Sequence, residues 1–137
     1  MSQVIIHTNE LGGVSVTTPV CDELTIEEVQ AKDTPKGSII VDDSELPQGD
    51  DAQFFDAWEL NTDGQVGVNI QKARELTRKR LRAEREPLLV EQDILFQRAL
   101  EDGSDTSAIV AEKKRLRDIT DLVDTCINTT ELKNLSC

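Results

Sequence analysis

Paired acidic side chains come nearest, among the residues of this sequence, to a catalytic or cation-binding arrangement. Asp42 and Asp43 are adjacent, as are Asp50 and Asp51, and both pairs lie in a stretch rich in turn residues. Neighbouring carboxylates can bind a cation together, or act as a proton donor and a proton acceptor. Because neither pair has a histidine or a glycine-rich loop beside it, we interpret both as solvated turn carboxylates.

Residues 61–64, Asn-Thr-Asp-Gly, resemble the beginning of a calcium-binding loop. They lack the bidentate acid that closes such a loop, and Asp-Gly is a strong hairpin signal. His7 is the only histidine, and Cys21, Cys126 and Cys137 are too widely spaced for a zinc motif. The sequence therefore predicts no catalytic residue, no cofactor site and no metal site, and we expect the protein not to be an enzyme.

A run of basic residues occupies positions 72–85, where seven lysines and arginines stand against two acids. A nucleic-acid-binding helix carries its basic side chains on one face, whereas residues 78–80 are consecutive and point in different directions. No aromatic residue interleaves with them, so we expect no nucleic-acid binding and interpret the run as a solvated or interface-forming helix. The basic residues are Lys72, Arg74, Arg78, Lys79, Arg80, Arg82 and Arg85.

The element that carries this run is a stretch of good helix formers over residues 69–101. Asn69 suits the N-cap, and Gly103 suits the position just past the end, where glycine tolerates a left-handed conformation. An unbroken helix would be roughly 50 Å long, at about 1.5 Å per residue, which is long for one small domain. We expect a kink or a break at Pro87, because proline removes the hydrogen bond to Ala83.

Apolar residues dominate the predicted helix beyond Pro87. Leu81, Leu88 and Leu95 recur every seven residues, which is too short a repeat for a long coiled coil. Two interpretations stay open: either two helices pack within one small domain, or the helix also packs against copies of itself or a partner protein. The candidate interface residues for the second interpretation are Leu81, Leu88, Leu89, Leu95, Phe96, Arg78, Arg82 and Arg85.

The predicted fold class is α+β, with a small N-terminal antiparallel β-rich module followed by a long helix and a C-terminal helical hairpin. Alternating and β-branched residues predict a hairpin over residues 3–18, a strand over 38–42 and a second hairpin around Asp63-Gly64. Thr25 begins a short helix as its cap. The expected domains are an acidic α+β module, 1–68, and a helical region, 69–137, with the long helix over 69–101, helices over about 105–127 and a short C-terminal turn.

The two regions differ in net charge. The net charge is −12, and residues 1–68 hold 14 acidic against 2 basic residues, whereas residues 69–137 hold 13 of each. Nucleic acid and anionic membranes should repel the acidic module, whose natural partners are basic surfaces. No apolar run approaches the roughly 20 residues that span a bilayer, so we expect a soluble protein made in a cytoplasm.

Short motifs over most of the chain carry a resemblance to a family. They are residues 4–16, 31–37, 40–47, 55–60, 72–75 and 93–101. Together they look like small proteins encoded among the tail genes of tailed bacteriophages. Residues 114–120, Lys-Arg-Leu-Arg-Asp-Ile-Thr, are similar to the terminal motif of phage tail assembly chaperone proteins.

The resemblance implies a non-enzymatic protein of the tail, tail fibre or baseplate, or one that assists their assembly. We expect a structural virion component, an adaptor acting through oligomeric helix packing and an acidic docking module. Its expected partners are further copies of itself and other phage tail or fibre proteins. Its expected location is the tail region of the virion, and the host cytoplasm during assembly. The alternatives are an assembly chaperone absent from mature particles, and an acidic decoy for a host nucleic-acid-binding protein.

Overall fold

A computed structural model describes residues 2–20 and 23–137 of the 137-residue chain. Cys21, one of the three cysteines considered above, therefore lies outside the described residues. The chain divides into two compact units, Met1–Ala73 and Arg74–Cys137. The mixed α+β class is confirmed, because a small antiparallel sheet precedes a long helix and further helices.

The N-terminal unit contains a three-stranded antiparallel sheet. Its strands are β1 (Gln3–Thr8), β2 (Val14–Thr17) and β3 (Ile39–Asp42), in the order β2-β1-β3. The predicted hairpin of β1 and β2 is confirmed, with Ile6 opposite Val16. Its turn forms because the Asn9 side chain accepts a hydrogen bond from the Gly13 N–H at 3.0 Å and Gly12 adopts a φ of 81°.

A short helix and a second hairpin complete this unit. Helix α1 (Ile26–Asp33) begins at the predicted cap, where the Thr25 hydroxyl accepts a hydrogen bond from the Glu28 N–H at 3.2 Å. A 3₁₀ segment, Gly49–Ala57, leads into β4 (Trp58–Leu60), which pairs with β5 (Val66–Val68). These two strands form a sheet of their own instead of extending the first sheet.

The core of the N-terminal unit joins the first sheet to Trp58. Val4, Ile6, Val14 and Trp58 are buried together. The indole N–H of Trp58 donates to the Asp51 carbonyl at 2.9 Å, so its one polar atom is satisfied in the partly buried site. The aromatic residue thereby ties the 3₁₀ segment to the sheet.

Helix α2 (Ile70–Asp102) is a single 33-residue helix. The Asn69 side chain accepts hydrogen bonds from the Gln71 and Lys72 N–H groups at 2.9 and 3.1 Å, which confirms the predicted cap. Its C-terminus is closed by Gly103, at a φ of 70°, and by a bond from the Ser104 N–H to the Ala99 carbonyl at 2.8 Å.

A break at Pro87, one of the two outcomes expected there, does not occur. Helix α2 continues through Pro87, whose side chain is exposed. The neighbouring helix α3 (Ser107–Asp118) contacts α2 on both sides of the proline. Arg85 donates to the Arg117 carbonyl at 2.9 Å, and Asp93 pairs with Lys113 at 2.5 Å. These contacts stabilise a helix that the proline alone would interrupt.

The predicted C-terminal helical hairpin is confirmed. Residue numbers rise along α2 and fall along α3 in the pairs 85–117 and 93–113, so α3 is antiparallel to α2. A 3₁₀ segment, Ile119–Thr125, and the short helix α4 (Thr129–Asn134) follow. Asn128 caps α4 by accepting a hydrogen bond from the Glu131 N–H at 2.9 Å.

Candidate docking surface

The two halves of α2 differ in how far the C-terminal unit covers them. In the proximal half, residues 70–86, Leu81 is fully buried and Thr77 is almost so. The other buried apolar side chains of this unit lie mostly in its last third: Leu116, Ile119, Val123, Cys126 and Leu132. The core of the C-terminal unit is therefore built around the proximal half of α2.

Arginines of the proximal half hold backbone carbonyls of the same unit. Arg74 donates to the Cys126 carbonyl at 2.7 Å. Arg80 donates to the carbonyls of Leu132 and Leu135 at 3.0 and 2.7 Å, at the end of α4. Carbonyls at a helix end have no partner within the helix and carry partial negative charge, so a cation there is stabilising.

The three arginines among the predicted interface residues are placed differently from one another. Arg78 pairs with Glu75 and Asp124, and Arg85 donates to the Arg117 carbonyl, so both guanidinium groups bind within the chain. Arg82 is exposed, and it has no hydrogen bond or ion pair among the described residues. Of these three, Arg82 is the one whose side chain is free to meet a partner.

The five apolar interface candidates also divide by burial. Leu81 is buried inside the unit and offers a partner no surface, so its assignment to an interface is corrected. Leu88, Leu89 and Phe96 are half-buried, and Leu95 is exposed. The Lys113 ammonium lies 5.3 Å from the centre of the Phe96 ring, which places Phe96 against α3.

The distal half of α2, residues 87–102, exposes more apolar surface than the heptad pattern indicated. Val90 is 51% exposed, Ile94 48%, Leu95 38% and Leu100 56%. At about 100° per residue, these side chains are spread over roughly 220° of the helix circumference. Val110 of α3 adds a further side chain that is 52% exposed. A two-helix hairpin covers one side of each helix, and these side chains stay about half exposed.

Val90, Ile94 and Leu100 are the exposed residues that sequence reasoning missed on α2. The leucine heptad drew attention to one stripe, and in the structure that stripe faces the unit's own core at Leu81. A signal for the others was present, because Val90 and Ile94 are four residues apart and lie on a different side from Leu81 and Leu88.

Two of the carboxylates considered in the sequence, Asp42 and Asp63, stabilise local turns of the N-terminal unit. The Asp42 carboxylate accepts a hydrogen bond from the Ser44 N–H at 3.0 Å, and this bond, with the Ser44 hydroxyl, lowers the pKa of Asp42. Asp63 accepts from the Gln65 N–H at 3.0 Å in the β4–β5 turn. Over residues 2–20 and 23–137, the structure contains no group of acidic, histidine or cysteine side chains that could hold a metal ion.

A small polar cluster fixes the beginning of α2 to the β4–β5 hairpin. The Asn69 amide donates to the Glu59 carboxylate at 2.8 Å, and the Lys72 ammonium lies 3.1 Å from the same carboxylate. These two contacts lower the pKa of Glu59, and the hydrogen bond from the Asn69 side chain has the larger effect. Asn69 therefore caps α2 with its oxygen and holds Glu59 with its nitrogen.

The described cysteines are free thiols in the C-terminal unit. Burial, with the nearby Glu131 carboxylate, raises the pKa of the Cys126 thiol. Burial likewise raises the pKa of the Cys137 thiol, which donates to the Leu81 carbonyl at 3.5 Å. Both thiols are kept protonated at neutral pH, which makes them poor nucleophiles and poor metal ligands.

In the part of the chain that the structure describes, no helix combines the length and the apolar character that crossing a membrane requires. No family model matches the chain, and no curated protein or solved structure gives a significant match.

Proposed function

We propose that this chain is a non-enzymatic structural component of a tailed-phage virion, an adaptor of the tail, fibre or baseplate. It acts through helix packing between copies and through its acidic module. The observation that carries the proposal is the exposure of Val90, Ile94, Leu95 and Leu100 on one half of a 33-residue helix. Burying apolar surface of this kind against another chain stabilises the complex, because the surface is removed from water.

The acidic module supplies a second, chemically different docking surface in this proposal. Residues 1–68 hold 14 acidic and 2 basic residues. Complementary charge mainly sets which partner binds and how fast, so the module selects a basic partner surface among the tail or fibre proteins. Among the described residues of the module, the exposed acidic residues are Glu10, Glu23, Glu27, Glu28, Asp33, Glu45, Asp51, Asp56 and Asp63.

The resemblance of the short motifs to phage tail-gene products is what supports a role in a phage tail. The same resemblance, through residues 114–120, supports an assembly chaperone as the alternative. A chaperone would use the exposed apolar residues transiently and leave before the particle is complete. An acidic decoy would instead need only the charge of the first half of the chain and would bind its host target in a salt-sensitive way.

Quantitative mass spectrometry of purified mature particles tests the proposal. A fixed number of copies per particle is the expected result, and that number would indicate the symmetry of the ring or fibre that contains the chain. Absence from mature particles, together with abundance in the infected-cell lysate, would overturn the structural role. Co-purification with an unassembled tail or fibre protein would then identify the chaperone, and binding to a host protein would identify the decoy.

A further inference from the structure

Four residues in the distal half of α2 form one exposed face with a symmetric arrangement of charge. Glu91, Ile94, Leu95 and Arg98 occupy positions i, i+3, i+4 and i+7, which lie on the same side of a helix. All four side chains are exposed. The acid stands three residues before the apolar pair, and the base stands three residues after it. We call these four residues the 91–98 face.

The two charged residues of the 91–98 face have no partner within the described part of the chain. Among the described residues, neither Glu91 nor Arg98 has an ion pair or a side-chain hydrogen bond. Some other charges of α2 do have partners: Asp93 pairs with Lys113, and Arg80 pairs with Glu84 at 2.8 Å. The 91–98 face therefore has an apolar centre and one free charge of each sign at its ends.

We propose that this face binds the same face of a second copy of the chain, with the two α2 helices antiparallel. A two-fold axis at the centre of the face places Ile94 of each copy opposite Leu95 of the other. Glu91 of each copy then lies opposite Arg98 of the other, and both charge pairs are attractive. A two-fold interface uses the same patch on both subunits, so one patch must complement itself, as this one does.

Charge disfavours the parallel arrangement in the same register. Parallel helices in the same register would place Glu91 against Glu91 and Arg98 against Arg98, and like charges across a contact are destabilising. The antiparallel pairing also differs from the interface expected from the leucine heptad, because Leu81 is buried within its own unit. This inference rests on the proposed oligomeric role and adds to it the contact surface and the orientation of the copies.

Sedimentation equilibrium of the full chain and three charge variants tests the pairing. Glu91→Arg and Arg98→Glu each replace both attractive pairs by like-charge pairs, so each should raise the dissociation constant by about tenfold or more. The double variant Glu91→Arg/Arg98→Glu restores both attractive pairs in the antiparallel arrangement. Its dissociation constant should return to within about threefold of the wild-type value. The wild-type association should also weaken with added salt.

Two apolar substitutions test whether self-association depends on the 91–98 face in particular or on any exposed apolar residue of α2. Ile94→Ser should abolish self-association, because Ile94 lies at the centre of the contact. Val90→Ser is the matched control: Val90 is similarly exposed, at 51% against 48%, but lies about 90° from the centre of the face. It should leave the dissociation constant unchanged. Circular dichroism would establish that the variants keep the wild-type helix content, as substitutions at exposed positions usually do.

Three results would overturn the inference. The first is a monomeric wild type across roughly 1 µM to 1 mM, the range in which a weak dimer forms. The second is an unchanged dissociation constant in both single charge variants. The third is a double variant as weak as the single ones, which would exclude the antiparallel orientation. Counting copies in particles is independent of these results, so a monomeric chain with a fixed copy number would refute this pairing and leave the place in the virion standing.

Discussion

Arginine side chains in the proximal half of α2 bind carbonyl groups that lie far away in the sequence. Arg74 and Arg80 reach acceptors that are 52 to 55 residues away, and Arg85 reaches one that is 32 residues away. The sequence showed these residues as a run of charge spread round a helix, which we interpreted as solvated or interface-forming. The acceptors could not be predicted, because every residue has a backbone carbonyl and only the fold decides which ones lie within reach of an arginine.

Replacing Arg80 tests this role of the basic run. Arg80→Ala removes a charged donor from the Leu132 and Leu135 carbonyls, so it should lower the free energy of unfolding by about 1–3 kcal/mol. Arg82→Ala is the matched control, since Arg82 is exposed and its substitution should change stability by less than about 0.5 kcal/mol. Urea denaturation of both variants measures the difference, and equal effects would contradict the role assigned to Arg80.

Glu59 gives a prediction of pH dependence at the start of α2. Its folded-state pKa is lowered by the Asn69 amide and then by Lys72, so the folded state favours the ionised carboxylate. The resulting stability is present above the ordinary pKa of glutamate and is lost as the pH falls through the lower, folded-state pKa. Urea denaturation between pH 7 and pH 3 should therefore show a smaller acid-induced loss in Glu59→Gln than in the wild type. An identical pH profile would refute the assignment.

At the scale of the elements, local patterns predicted most of the fold. The caps at Thr25 and Asn69 and the stop at Gly103 lie where the sequence placed them, because a cap depends on a few neighbouring residues. What the sequence could not show was the tertiary arrangement. Helix α2 continues through Pro87, with contacts to α3 on both sides of the proline, and β4 and β5 form a separate sheet although their hairpin was predicted.

Pro87 gives a prediction about helix α2 itself. The proline removes one backbone hydrogen bond from the helix interior and lies on its exposed surface. Pro87→Ala should therefore raise the free energy of unfolding, by up to about 3 kcal/mol. Glu86→Ala, at the exposed neighbouring position, is the control and should have little effect. Thermal and urea denaturation followed by circular dichroism measure both, and a destabilised Pro87→Ala variant would contradict this view of the helix.

For the whole molecule, charge and periodicity change together along the chain, so the sequence predicts an acidic β-rich module over residues 1–68 and a helical region over 69–137. By its internal contacts, the chain divides after Ala73. The exposure of the candidate interface residues was predicted only in part. Leu95 and Arg82 are exposed as an interface requires, but Leu81 belongs to the core. Heptad spacing identifies which residues share a stripe, and it does not distinguish a stripe that faces the chain's own core from one that faces a partner.

Hydrogen exchange, compared between the dilute chain and mature particles, tests the central claim most directly. We predict that backbone amides of the distal half of α2, residues 87–102, exchange more slowly in particles, because another chain covers the exposed apolar side chains there. Amides of the proximal half, which the chain's own core already protects, should change little. Unchanged exchange over residues 87–102 in particles that contain the chain would show that this half of α2 is not the docking surface.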